Sequence, residues 1–309
     1  VTLKKLVEKL PELVLTQEPL AAIFGKLSGE ATLFFTDSHN FFSVCTFGRA
    51  VLVRNNDHAQ VNKIVNDLDF KRAVAVGGCA ALDVARACAK GRDVIIVPTI
   101  LSTSCISVDR SVLSYNGRNR IEKTTMPSSV MVSIPALLNA PPGALARWTR
   151  SGFGDLFTMF SAAIELSAAE GGHSMKDIMK LVPECFEALK WVVEKFRRFD
   201  EECMKRLAVF LHESCLMVIR RNDTRLNAAG EHRLYHRLLE LHREYMPSRP
   251  THGQIVSAGT LIAARIFGEK TSDMNLYHEL VTAYEKIGLP TNYQQLVAAG
   301  MQKEHLIEG

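Results

Sequence analysis

The stretch that most limits the fold is "RAVAVGGCAALDVARACAKGRDVIIVPT" (72–99). It opens with a short apolar run, turns at Gly77–Gly78, continues with apolar residues at helical spacing, and closes on a second apolar run that ends at a proline. Two β-rich runs with a helix between them imply parallel strands joined by a crossover. "ATLFFTD" (31–37) and "AVLVRN" (50–55) are further runs of the same kind, ended by Asp and Asn. The first part of the chain therefore reads as a parallel sheet wrapped by helices. "RSVLSY" (110–115) and "SSVMVSI" (128–134) flank "NGRN", which reads as a hairpin turn between them.

After "NAPPGALARW" the character changes. From residue 143 onward the periodicity is helical, with loops at "EGGHS", "MPSRPTHG" and "GLPTN". The expected architecture is an α/β domain over 1–142 followed by an all-α domain over 143–309, with no internal repeat. The length of 309 residues allows each part its own core.

The charge balance narrows the partners. A formal charge of +4 gives no support to general nucleic-acid binding and leaves small anionic molecules as the better fit. No apolar run approaches about 18 residues, so no membrane span is expected. The opening "VTLKKLVEKLPELVL" carries Glu8 and Glu12 within its apolar stretch and reads as no signal peptide. Seven scattered cysteines without a CxxC pair predict reduced thiols in a cytoplasm, with neither a disulfide framework nor a zinc ribbon.

Several residues are placed where ligands bind. Gly77 and Gly78 would let the N–H groups at a helix start approach a phosphate, or they make a tight turn and nothing more. Thr99, Ser102, Thr103 and Ser104 follow a strand's C-terminal end, where open α/β sheets hold ligands. Their hydroxyls suit phosphate, ribose or a carboxamide. Residues 226–254 hold four of the ten histidines. His232 and His236, four apart, share a helix face and are either metal-directed or solvated. His242 lies about 80° from His232 around an ideal helix and reads as surface.

Four motifs in order over residues 72–262 carry a resemblance. "VGGCAALDVARACAKGRDVIIVPTILST", "TRSGFGDLFTMFSAAIE", "AAGEHRLYH" and "THGQIVSAGTL" resemble the signatures of the iron-containing alcohol dehydrogenase, glycerol dehydrogenase and dehydroquinate synthase-like superfamily. The two histidine motifs have the version found in sn-glycerol-1-phosphate dehydrogenases. The resemblance implies a dinucleotide-binding α/β domain followed by a helical domain, with one divalent metal held by Asp155, His232 and His252. One carboxylate and two imidazoles leave an open coordination position, as a catalytic metal needs. Zinc and iron(II) both suit this set.

The same resemblance implies NAD or NADP on Gly77, Gly78, Asp83, Thr99, Ser102 and Thr103. An acid in the position of Asp37 binds ribose hydroxyls in such folds and favours NAD, although acids are also common turn residues. His236 would sit beside the substrate, and Ser104 or His236 would relay its proton. Of seven arginines between 220 and 249, Arg233 and Arg237 are the candidate contacts for a substrate phosphate. The implied activity is oxidation or reduction of a small polyol or polyol phosphate by a homo-oligomer. Cys79 replaces the family's third glycine, Arg86 its lysine, and Ser104 stands where many members carry an acid. These departures keep two alternatives in view: a dehydroquinate synthase-like lyase, and a non-catalytic descendant that binds metal or nucleotide.

Overall fold

The computed structural model describes residues 10–172, 174–221, 223–241 and 250–301. His242, Arg243 and Arg249 lie outside the described residues. Two compact units emerge. The first gathers the described residues up to Leu101 with Cys105–Leu145 and Met204–Arg220. The second gathers Ser102–Ser104, Ala146–Cys203 and the described residues from Arg221 onward.

The first unit is built on a six-stranded, all-parallel sheet. In chain order its strands are β1 (Glu12–Thr16), β2 (Thr32–Thr36), β3 (Arg49–Leu52), β4 (Arg72–Gly77), β5 (Asp93–Pro98) and β8 (Ser129–Ser133). Their spatial order is β1-β8-β5-β4-β2-β3. All five residues of β2, and all of β4 and β5 but the first, are buried. Continuous apolar runs of this kind belong to strands covered on both faces. On one face Ile23, Phe24 and Leu27 of α1 (Leu20–Leu27) pack with Phe34, Val74, Val76 and Val97. The crossover α4 (Cys79–Ala89) joins β4 to β5, and α2 (Phe41–Cys45) and α3 (His58–Asp67) complete the first half.

The hairpin differs from expectation. Asn116 and Gly117, both at positive φ, join β6 (Arg110–Tyr115) to β7 (Arg118–Lys123). A two-residue turn with both φ values positive pairs immediate neighbours, so "RNRIEK" is the partner strand. "SSVMVSI" supplies β8 to the main sheet instead. β1, which the sequence reading does not anticipate, adds to β8 at the edge, with Leu13 opposite Val130.

The second unit is helical, as its periodicity predicts. Its longest element is the 28-residue α6 (Pro142–Ala169). α7 (Met175–Leu181), α8 (Pro183–Lys195), α10 (Gly230–Leu241), α11 (His252–Thr271), α12 (Asn275–Ile287) and α13 (Tyr293–Ala298) follow in chain order. The short α5 (Ile134–Leu138) precedes α6, and most of α9 (Glu201–Arg221) counts with the first unit. α6 carries two faces. Phe153 and Phe157 stack towards Trp191 and Tyr284, and Phe160 meets Phe186 edge-on, while Ser151, Gly154 and Asp155 lie on the other face.

Candidate metal centre

Asp155 is fixed by the way α6 meets α11. A Cβ on Gly154 would overlap the Gly253 carbonyl, and a Cβ on Gly253 would overlap the Ser151 carbonyl. Only two glycines at the crossing let the helix backbones touch. Ser151 Oγ accepts from Gly253 N at 3.2 Å. Asp155, next to one glycine, and His252, next to the other, are therefore brought face to face. His252 Nε2 donates to Asp155 Oδ1 at 2.8 Å.

The other oxygen of Asp155 is held by the loop after β5. Oδ2 accepts from Ser104 N at 2.5 Å and from Thr103 Oγ1 at 3.1 Å. Ser102 gives its carbonyl to Ser151 Oγ. Thr103 and Ser104 thus support the carboxylate, and the buried Ser104 reaches it through its backbone.

His252 opens α11 behind a capping box. Thr251 Oγ1 accepts from Gln254 N while Gln254 Oε1 accepts from Thr251 N. This reciprocal pair sets where the helix begins and so where the imidazole stands. His232, in the first turn of α10, has its ring centroid 5.0 Å from that of His252. Tyr235 packs edge-on against His252 at 4.4 Å.

Ligand atoms of Asp155, His232 and His252 all lie within 4.8 Å of one another. His232 Nδ1 is engaged with Glu231 Oε1 at 2.8 Å. A carboxylate only accepts, so Nδ1 carries a proton, and in the neutral ring Nε2 is then the nitrogen with the lone pair. Burial alone would raise the Asp155 pKa. The hydrogen bond and charge of His252, the charge of His232 and the Ser104 N–H reverse that effect and hold the carboxyl well below its ordinary range. An ionised, buried carboxylate facing two imidazoles is a donor set that fits a divalent cation with nitrogen and oxygen preference.

The remaining residues of interest on α10 differ in their engagement. His236, one turn beyond His232, is exposed and packs beside Tyr235. Arg233 pairs with Glu165 Oε2 at 3.0 Å, and Glu165 Oε1 also takes the N–H of Gly230 at 2.6 Å. Arg237 is exposed.

A separate constellation lies at the carboxyl edge of the sheet. The chain progresses outward in opposite directions from β2 and β4, so these neighbours form the switch point of the topology. Asp37 follows β2 and Gly77 ends β4. Asp37 Oδ1 accepts from the backbone and side-chain nitrogens of Asn40, each at 3.0 Å. Gly77 has φ +139°, and a Cβ there would lie 2.5 Å from Asp37 Oδ2. Gly78 caps α4 with no side-chain hydrogen bond to the helix start, and Cys79 follows, exposed. Thr99 N donates to Gly77 O at 3.1 Å. Backbone amides and a carboxylate are thus gathered at the edge where open sheets commonly bind dinucleotides.

Asp83 has another setting. Its carboxylate lies in the interior, where Oδ1 accepts from Arg86 Nη2 at 2.6 Å. Arg86 Nη1 reaches the Cys105 carbonyl at 2.7 Å. Burial pushes the Asp83 carboxyl up against the opposing effect of Arg86. The pair pins the start of residues 105–108.

Sequence reasoning passes over Glu231, Tyr235 and Glu165. Glu231 has a local signal, an acid beside a candidate ligand in "GEH", but its burial is a property of the packed helices. Gly259 gives another: a Cβ there would lie 2.8 Å from the Glu231 Cα, so α10 and α11 also touch closely.

The chain is similar to known proteins in both sequence and fold. Residues 42–141 match the family described as iron-containing alcohol dehydrogenase. A glycerol-1-phosphate dehydrogenase [NAD(P)+] of Pyrobaculum aerophilum is 21% identical over 257 residues, covering 79% of this chain and 71% of the relative. Its counterpart in Pyrococcus furiosus is 23% identical over 259 residues, covering 82% and 70%. A probable glycerol dehydrogenase from Sinorhizobium meliloti superposes with a TM-score of 0.69 at 19% identity, covering 93% of this chain and 84% of its own. That likeness establishes the fold.

Proposed function

We propose that this chain, which belongs to the superfamily of iron-containing alcohol dehydrogenases and dehydroquinate synthase-like enzymes, is a metal-dependent, NAD(P)-linked dehydrogenase of a small polyol or polyol phosphate. The observation that carries the reading is the convergence of Asp155, His232 and His252 from α6, α10 and α11. A divalent metal there, zinc or iron(II), supplies Lewis acidity to a carbinol oxygen, and the nicotinamide cofactor supplies the hydride acceptor.

The protein's own groups do the rest. Asp155 enters the site already ionised, with one oxygen committed to Thr103 and Ser104 and the other directed at His252. Gly77 and Gly78 bring backbone N–H groups towards a pyrophosphate, and Asp37 accepts from ribose hydroxyls, which favours NAD. The substrate's proton is assigned to Ser104 or His236. A substrate phosphate is assigned to Arg233 and Arg237. Asp83 contributes by holding the loop through Arg86. A cytoplasmic homo-oligomer is the proposed setting.

Two measurements test the reading. Metal analysis of the purified chain should return about one zinc or iron per protomer, and His252→Ala should lose it. NADH formation should follow on presenting glycerol, glycerol 1-phosphate and related polyols with NAD. Full metal in His252→Ala, or metal binding without turnover on any polyol tested, would overturn the metal site or the dehydrogenase reading respectively.

A further inference from the structure

We infer that Glu231 is a positioning residue of the metal centre, one that selects the tautomer of His232 and so presents Nε2 as the ligand atom. The inference rests on the proposed metal site and gives a role there to a residue outside its donor set.

Neighbouring side chains on a helix ordinarily point apart. Glu231 and His232 meet because the glutamate folds back over the start of α10. Its Oε1 takes the Ala229 N–H at 2.9 Å, closing the first turn from within, and the same oxygen takes His232 Nδ1–H at 2.8 Å. Glu231 is 2% exposed, and Ser161 of α6 adds a hydroxyl to the carboxylate's surroundings. Its backbone is fixed as well, since α11 passes at Gly259 with no room for a side chain between them.

A buried carboxylate is costly to keep unless it serves its partners. Here the carboxylate ties together the first turn of α10 and the ring of His232, while the backbone of the same residue lies against α11. Ligating histidines generally need a second partner on the far ring nitrogen to fix their orientation and raise their basicity. Among the described residues, Glu231 is the carboxylate that supplies it. The neutral imidazole has one proton to place, and an acceptor at Nδ1 places it there.

The test begins with the unaltered chain. Nitrogen-15 NMR of histidine-labelled, metal-free protein, with His232 assigned through His232→Gln, should show the Nδ1–H tautomer. The Nε2–H tautomer would overturn the proposal without any variant of Glu231. Zinc affinity by chelator competition then compares wild type with Glu231→Gln and Glu231→Ala. Weakening of about 10- to 100-fold is expected, with Gln less affected than Ala. The His232 signal should broaden to a mixture of tautomers in Glu231→Gln, because an amide can accept or donate.

Melting of the metal-free variants separates this from a general loss of fold. A purely structural glutamate would lower the melting temperature and leave the His232 tautomer unchanged, which would sink the proposal. Zinc affinity within twofold of wild type in both variants would do the same. Failure of folded wild type to bind zinc or cobalt would overturn the metal site itself, a different failure from that of Glu231.

Discussion

The proposed dinucleotide site at the sheet edge of the first unit and the proposed metal centre of the second solve the same problem in opposite ways. At the sheet edge the functional groups are largely backbone, and they arise within one strand–turn–helix segment around Gly77 and Gly78. At the metal centre they are side chains from residues 155, 232 and 252, each alone in its own segment. A backbone site needs permissive residues, so a local glycine pattern announces it. A side-chain site needs helices held at a fixed separation, and the glycines that arrange this are one residue away from the ligands. Gly154 and Gly253 are as much a part of the centre as Asp155 and His252.

The largest expected effect breaks the second region through its packing. Gly253→Ala must push α11 away from the Ser151 carbonyl of α6. The cost should be about 3 kcal/mol, read as a lower urea midpoint, and metal content should fall with it. Retention of full metal by a destabilised Gly253→Ala protein would show that the ligand spacing does not depend on this crossing.

The corresponding change in the first region should leave the metal untouched. Gly77→Ala places a Cβ at φ +139° and 2.5 Å from Asp37 Oδ2. Strain of about 1–3 kcal/mol is expected, together with NAD binding weakened by about tenfold or more, measured by fluorescence titration. Zinc content should remain that of wild type. Loss of zinc in Gly77→Ala would mean that the two regions are not separable by mutation.

This contrast also explains what could be read before the fold was known. β2, β4 and β5 are legible because a strand covered on both faces must be apolar at every position. β7 is not, since five of its six residues are exposed, and its strand identity comes from the Asn116–Gly117 turn that presses it against β6. β1 is half-buried with no clean alternation, so neither rule detects it. For the metal centre, no spacing within the chain joins Asp155 to His232. Only the order of four motifs did so, through a family resemblance. Glu231 stayed hidden because an acid reads as solvent-exposed until the helices around it are placed.

A smaller effect sharpens the dinucleotide side. Asp37→Ala removes an acceptor while leaving the turn at Asn40 without its cap. NAD affinity should fall by about tenfold, and NADP affinity should change less because the carboxylate no longer repels a 2′-phosphate. An unchanged ratio of the two affinities would remove Asp37 from the ribose site and leave it as a turn residue.

The smallest effect concerns pH and belongs to the first unit. His212 of α9 is buried, with Nδ1 2.7 Å from Ser107 Oγ. Burial, with Arg220 adding its charge, lowers the ring's pKa from the ordinary 6.5. As the pH falls below that value, the unfolded chain takes up a proton that the folded chain does not, so the stabilisation present above it is progressively lost. The slope from this one group cannot exceed about 1.4 kcal/mol per pH unit. His212→Gln, which keeps a hydrogen-bonding partner for Ser107, should flatten the decline of the urea midpoint between about pH 6.5 and 5. His278→Gln, at an exposed position of α12 in the second unit, should leave that slope as it was. Equal slopes in wild type and His212→Gln would show that this buried ring is not what ties the first unit's stability to pH.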